Sequence, residues 1–417
     1  MIILEDPYVS PELATFAADR QEPVLDTPAA RQAGLDYGLH LNLVSSRDFG
    51  RLCCQGQRLY SNSENALDWL YSRSGNAGLV RATELLKNKL LFRQRLAPLF
   101  PDFHFRELTL RDVMETHFDS LPGPCVLKPA VGFFSLGVYS IENAQQWRAA
   151  RDDIAAGAVR WRKEYPAAVL DNQVWLLESL IQGTEYAVDV YFNSRGEAVI
   201  CNILQHDFAS SEDVSDRLYY TSADIIRRMA GPLEAWFDQL NERLGLRDYP
   251  VHVELRRDAD GHMVPIEFNP LRFAGLGGTD VAFYGVGLRT YEAFLDTKSR
   301  TSAWPSVFNE GNDRAALAEH WDLSNYVLQG DPYGLAPIFP SVAALPNYEP
   351  YLESNTITEF SIFDTATGLV NSYYFDTSDP DSEVVLFDSF ALQKDAEDPA
   401  PSVPFQDVDQ KDWFYGA

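Results

Sequence analysis

Apolar runs of strand length alternate along this chain with stretches of helical periodicity, and the alternation predicts a mixed α+β, α/β protein. Over the first 80 residues, Ile2-Ile3-Leu4 and Leu39 to Val44 are short apolar runs beside a helical patch at Glu64 to Ser72, which predicts a small N-terminal α/β lobe. Thr83 to Phe100 has one helical period and stops at Pro101, so it reads as a single helix carrying both Lys87 and Lys89. Cys125 to Pro129 is a buried-type strand, Ala130 to Gly137 a loop, Val138 to Ile141 a second strand, and Glu142 to about Ala156 a helix. Strand runs recur at Val174 to Leu177, Glu185 to Phe192 and Ala198 to Leu204, the last two joined by a Ser194-Arg195-Gly196 turn. A helix over Ser222 to Leu244 precedes the strands Val251 to Arg257 and Met263 to Phe268 and a helical segment from Asp280 to Leu295.

Beyond Trp304 the pattern changes. A helix near Asp313 to His320 leads through a Pro-punctuated connector to three antiparallel strands at Thr356 to Phe363, Leu369 to Phe375 and Glu383 to Phe387. The stretch from Lys394 onward, with six acidic residues and three prolines, reads as an acidic tail. The expected division is 1–80 for the N-terminal lobe, 81–300 for a central region and 301–417 for a β-rich extension.

Composition narrows the functional classes. A formal charge of −27 with no cluster of Lys or Arg speaks against nucleic acid as a partner, and an anionic ligand would need cations gathered locally or a divalent metal. The absence of an 18-residue apolar run speaks against a membrane span. Cys53, Cys54, Cys125 and Cys201 have neither metal-site nor disulfide spacing and read as reduced thiols, so the expected location is cytoplasmic. Asp48-Phe49-Gly50 matches the kinase metal-binding tripeptide, but only 47 residues precede it, too few for the rest of a kinase, and it reads as a turn.

The chemistry concentrates in three segments. In Val251 to Asn269, VHVELRRDADGHMVPIEFN, a two-residue turn at Asp260-Gly261 pairs Ala259 with His262. Counting back sets Glu254 opposite Glu267 and His252 opposite Asn269, with Val253, Leu255, Ile266 and Phe268 on the other face. Two carboxylates facing each other across strands repel. A divalent cation relieves that repulsion, and Glu254, Glu267 and Asn269 form an oxygen set suited to Mg²⁺, with Mn²⁺ as the alternative. In Val126 to Val138, Lys128 ends an apolar strand, and Gly132, Ser135 and Gly137 let the following loop lie over phosphates. It is not a Walker loop, since Val138 and Tyr139 follow Gly137. In Trp175 to Phe192, Glu178 and Glu185 bracket a Gln182-Gly183 turn.

In this order, the Lys-Pro strand with its Gly/Ser loop, the Glu-x-x-x-x-Gly-x-Glu segment and the Glu … Glu-x-Asn pair resemble the ATP-grasp superfamily, of the carboxylate–amine or thiol ligase type, over roughly residues 80 to 300. The resemblance implies two α+β subdomains gripping ATP, a small lobe at about 118–182 and a large lobe at about 183–300. It implies that Lys89 and Lys128 contact phosphates, with Lys87 as the fallback. Glu178 and the Leu180 backbone would face the adenine, Glu185 the ribose, and Glu254, Glu267 and Asn269 the metal. His252 stands where many members carry Arg, and Arg272 is a candidate cation for the carboxylate or acyl phosphate. The expected activity is ADP-forming ligation of a small-molecule carboxylate to an amine, by a chain that could form a homodimer. Phosphoryl transfer to a small molecule and non-catalytic nucleotide binding are the competing readings. No general base stands out; His206 and His252 are the candidates. Phe133-Phe134 in the loop reads as packing beneath it.

Overall fold

Among the described residues the strands form three sheets. The structure is a computed structural model that describes residues 1–6, 8–130, 138–164, 174–207, 218–220, 223–275, 278–279, 289–295, 357–364, 369–376 and 385–391. The N-terminal lobe is a parallel sheet of β1 (Ile2–Ile3), β2 (Pro23–Leu25), β3 (Asn42–Val44) and β4 (Tyr60–Ser61) in the order β3-β2-β1-β4. Ser10 and Thr27 cap the helices that follow β1 and β2, each with a proline in the first turn, where a missing N–H costs nothing.

The small lobe is a sheet of β5 (Phe105–Leu108), β6 (Cys125–Pro129), β7 (Tyr139–Ile141) and β8 (Trp175–Ser179) in the order β5-β8-β6-β7. The Ala144–Glu164 helix packs on it, longer than its periodicity suggests. Asn143 starts that helix by accepting from the Gln145 and Gln146 N–H groups.

The large lobe is built on β9 (Thr184–Phe192), β10 (Ala198–Asp207), β11 (Leu218–Tyr220), β12 (Tyr249–Arg257) and β13 (Met263–Pro270). Its sheet continues into the C-terminal strands β14 (Ile357–Asp364), β15 (Leu369–Asp376) and β16 (Val385–Ala391), giving the order β13-β12-β9-β10-β11-β14-β15-β16. The three C-terminal strands expected from sequence are therefore present, and β14 pairs antiparallel with β11.

Two sequence expectations are corrected. The helix read over Thr83 to Phe100 is two helices, Ala77–Lys87 and Lys89–Leu96, broken at Asn88. Asn88 has extended backbone, and its side chain accepts from the Leu90 and Leu91 N–H groups, so a capping bond replaces one helical turn. Asp48-Phe49-Gly50 lies inside the Ser46–Cys54 helix and is not a turn; Ser45 caps that helix, and Phe49 is buried edge-on against Trp69. The helix read near Asp313, most of the Asp280 to Leu295 segment and the acidic tail lie outside the described residues. All four cysteines are free, and burial pushes the Cys53 and Cys125 thiols up to about 11.

Candidate active site

The β12–β13 hairpin has the expected register where it matters, for a reason the sequence conceals. His252 pairs with Asn269 and Glu254 with Glu267. The turn, however, holds one residue more than the two-residue form: Asp258 N–H donates to His262 O, and Gly261 carries the positive φ of 90°. A bulge between Glu254 and Leu255 takes up the difference, leaving Ile266 half-buried and Val253, Leu255 and Phe268 in the core.

Three rows of side chains cross the sheet on the face away from Val253 and Leu255. In the first, Asn269, His252, Asp189 and Asn202 follow one another over β13, β12, β9 and β10. His252 Nδ1 lies 2.7 Å from Asp189 Oδ1, which also accepts the Ala274 N–H at 2.7 Å. In the second, Glu267 and Glu254 lead to Ala187 and Leu204, which pack with Ala274. In the third, Arg256, Glu185 and His206 are joined, with Arg256 Nε and His206 Nδ1 each 2.9 Å from the Glu185 carboxylate. Burial alone would raise the Glu185 pKa, but His206 and Arg256 hold it below the usual range.

Cations converge on this face although the chain as a whole is strongly acidic. Lys89, the first residue of its helix, pairs with Glu267. Burial works to push the Lys89 ammonium down, but Glu267, with Glu254 and Glu64 behind it, holds it above its ordinary range. Glu267 is correspondingly lowered to about 2: burial would raise it, and the adjacent Lys89 outweighs that. Lys87 instead pairs with Glu64, whose other oxygen lies 3.6 Å from Arg272 Nη2. The helix break at Asn88 thus separates the two lysines, and Lys89 is the one on the carboxylate pair.

From the small lobe, Lys128 on β6 pairs with Glu178 on β8. Arg93, not anticipated from sequence, donates to the same carboxylate through Nε at 2.9 Å and Nη2 at 3.3 Å. Burial drives the Lys128 pKa down more than Glu178 restores it, whereas burial of Glu178 is outweighed by Arg93 and Lys128, which keep it ionised. The Leu180 N–H donates to Pro124 O at 3.0 Å, so what Leu180 can offer a ligand is its carbonyl. Between β8 and β9, Gly183 has φ 115°, and a Cβ there would lie 2.2 Å from Arg257 O, so no other residue fits this turn between the lobes.

Arg272 donates to Phe273 O at 3.0 Å, just after Leu271, a left-handed residue with φ 61°. That conformation is costly for leucine; bonds from Leu271 N–H to Pro250 O and from Ser61 N–H to Leu271 O hold it. Gly132, Ser135, Gly137 and Phe133-Phe134 lie outside the described residues. Sequence reasoning also missed Asp189, although strand alternation from Glu185 through Ala187 places it on the same face.

Glu254, Glu267 and Asn269 fit Mg²⁺ or Mn²⁺. They are hard oxygen donors on adjacent strands, Asn269 Nδ2 lies 3.3 Å from Glu254 Oε1, and the Lys89 ammonium already serves as a cation for Glu267. Asp258, Asp260 and His262 also lie close enough to share an ion, but they sit at the hairpin turn, where Asp258 holds the His262 N–H and ring. Among the described residues no helix is long and apolar enough to cross a membrane.

Residues 121–280 match the family model described as an ATP-grasp domain. No curated protein sequence matches the chain. Among solved structures, an L-amino acid ligase from Bacillus licheniformis has 16% identity over 88% of this chain and 81% of its own, with a TM-score of 0.51. The biotin carboxylase domain of 2-oxoglutarate carboxylase from Hydrogenobacter thermophilus, crystallised with MgADP, ADP and bicarbonate, has 11% identity over 72% and 70%, also with a TM-score of 0.51. With the family match lying over both lobes of the grip and the fold shared with these structures, the chain carries an ATP-grasp domain at residues 121–280.

Proposed function

We propose that the protein is an ADP-forming ligase that activates a small-molecule carboxylate as an acyl phosphate and couples it to an amine. The observation that carries this reading is the paired Glu254 and Glu267, with Asn269 beside them, facing Lys89 in a site that also gathers Lys128 and Arg272. Amide formation from a free carboxylate in water is uphill. Bound Mg-ATP supplies the phosphoryl group that gives the carboxylate a better leaving group.

The chain's own residues do the positioning. Glu254, Glu267 and Asn269 would hold the metal, one carboxylate from each strand of the β12–β13 hairpin and so fixed relative to each other. Lys89 and Lys128 would neutralise phosphate charge, a role for which both are already buried and close to the site carboxylates. Glu178 and the Leu180 carbonyl would face the adenine, and Glu185, held by Arg256 and His206, the ribose. Arg272, 18% exposed at its side chain and tied to Glu64, is the cation placed to meet the substrate carboxylate or acyl phosphate. His252 lies beside the metal ligands with its ring fixed by Asp189. We read the protein as cytoplasmic, in keeping with its free thiols.

The test is Mg²⁺-dependent ADP release against pairs of carboxylates and amines. The panel begins with L-amino acids, the substrate class in the name of the Bacillus licheniformis neighbour. Release that requires both partners and yields an amide supports the proposal. Release that needs only a hydroxyl acceptor and yields its phosphate ester replaces it with phosphoryl transfer.

A further inference from the structure

The Lys89–Leu96 helix carries two cations four residues apart that reach opposite lobes. Positions i and i+4 share one helix face. From that face Lys89 pairs with Glu267 on β13 of the large lobe, and Arg93 pairs with Glu178 on β8 of the small lobe. Arg93 is 3% exposed. Its guanidinium lies over the Phe103 ring at 4.5 Å and against Phe92 at 4.9 Å, so it is held by aromatic contacts as well as by the carboxylate.

Two cations therefore share one buried carboxylate, and they differ in kind. Arg93 grips both oxygens of Glu178 through a planar, two-point contact. Lys128 meets the same carboxylate at Oε1, as a point charge on a flexible stem. Burial pushes the Lys128 ammonium down, and Arg93 and Lys89 both repel it. If Lys128 were the sole partner of Glu178, its departure would strand an uncompensated buried charge, which a protein interior tolerates poorly.

We propose that Arg93 is a positioning residue, the permanent counter-ion of Glu178, whose two-point hold frees Lys128 to leave Glu178 for the phosphates of a nucleotide. The proposal rests on the reading of Lys128 as a phosphate contact. It adds a division of labour: Arg93 keeps Glu178 ionised and in place, and Lys128 exchanges one anion for another. The same helix presents Lys89 to the other lobe, so one short element sets both phosphate-seeking lysines.

The experiment compares ATP with adenosine, by displacement titration on the full chain, for the natural protein and for Lys128→Met, Arg93→Met, Arg93→Lys and Arg93→Met/Glu178→Gln. The readout is the ratio of ATP to adenosine affinity, which isolates the phosphate contribution. Arg93→Met should lower that ratio about ten- to hundredfold, as truncating one member of a buried charge pair does. Lys128→Met should lower it comparably. Removing the Glu178 charge in the double variant should restore the ratio, because Lys128 is then no longer pinned. Arg93→Lys should fall between, and it keeps the test open should Arg93→Met not fold. If Lys128→Met lowers the ratio and the Arg93 variants leave it unchanged, Arg93 is a structural ion pair only and the proposal fails. If Lys128→Met itself leaves the ratio unchanged, the reading of Lys128 fails and takes the proposal with it.

Discussion

The two sheets that face each other across the site are supported in different ways. The large sheet shares two apolar cores with the N-terminal lobe: in one, Met1, Ile3, Leu25 and Phe49 join Val188, Val190, Val253 and Phe268, and in the other, Ile2, Val24 and Tyr60 join Tyr191, Val199 and Phe273. The small sheet has a core of its own, built from Leu108, Val113, Cys125, Leu127, Ile141, Trp147 and Trp175 among others. Among the described residues, that lobe meets the rest at the Gly183 turn, at the contact of Leu90 with Ala130 and Leu176, through the Lys89 N–H bond to Ala130 O and the Arg256 bond to Ile181 O, and through the ion pairs of Glu178. A lobe with a separate core can shift as a unit, whereas the face bearing Glu254, Glu267 and Asn269 has a shared core packed behind it. In the proposed reading, the large lobe is thus the rigid side, with Glu254, Glu267 and Asn269, and the small lobe the adjustable side, with Lys128.

Truncation of each core would separate the two most sharply. Phe268→Ala removes a fully buried ring that meets Phe92 edge-on at 5.0 Å, and should cost about 3–5 kcal/mol. Because its cluster spans both regions, hydrogen exchange should speed up in the N-terminal lobe and the large lobe together. Leu127→Ala should cost about 2–5 kcal/mol, with the faster exchange confined to the small lobe. Loss of protection in β9 and β12 from the second substitution would show that the cores are not independent.

A smaller effect concerns Asp189, which stands in the large sheet between His252 and Asn202. It is 1% exposed, and its Oδ1 holds both His252 and the Ala274 N–H, while Oδ2 has no partner among the described residues. Asp189→Asn should lower turnover about tenfold or more through misorientation of His252, with nucleotide affinity little changed. Equal losses in both would mean that the residue only supports the fold.

The rigid side should also show a pH dependence of stability. Glu267 is lowered from 4.5 to about 2 in the folded protein, so its pairing with Lys89 stabilises the chain fully above pH 4.5. That contribution is lost as the pH falls from 4.5 through about 2. Urea unfolding of the natural protein and of Glu267→Gln should therefore converge as the medium is acidified across that window. Parallel curves would mean that the pair contributes no linked stability.

The sequence made the strands and the carboxylate pair legible because both depend on local rules. Period-two alternation put Glu254 and Glu267 on one face, and two departures, a longer turn and a bulge at Ile266, cancel before the site is reached. The Asn88 break was less visible, since the apolar period continues across it while a side-chain cap interrupts the backbone. Arg93 and Asp189 escaped notice because each is defined by its partner: Glu178 lies 85 residues from Arg93 and His252 lies 63 from Asp189. A cation four residues after Lys89, and an aspartate inside an apolar strand on the face of Glu185, were the available signals. The union of β14 with β11 was not legible, because long-range pairing of two strands leaves no mark in either alone.

The central claim is that Glu254 and Glu267 organise a nucleotide-dependent ligation. Its most direct test is Mg²⁺-dependent ADP release, with carboxylate and amine offered singly and together, by the natural protein and by Glu267→Gln. The account predicts release only when both partners are present, an amide product, and a fall of more than about a hundredfold in the variant. ADP release that Glu267→Gln leaves intact, or tight ATP binding with no turnover on any pair, would contradict it.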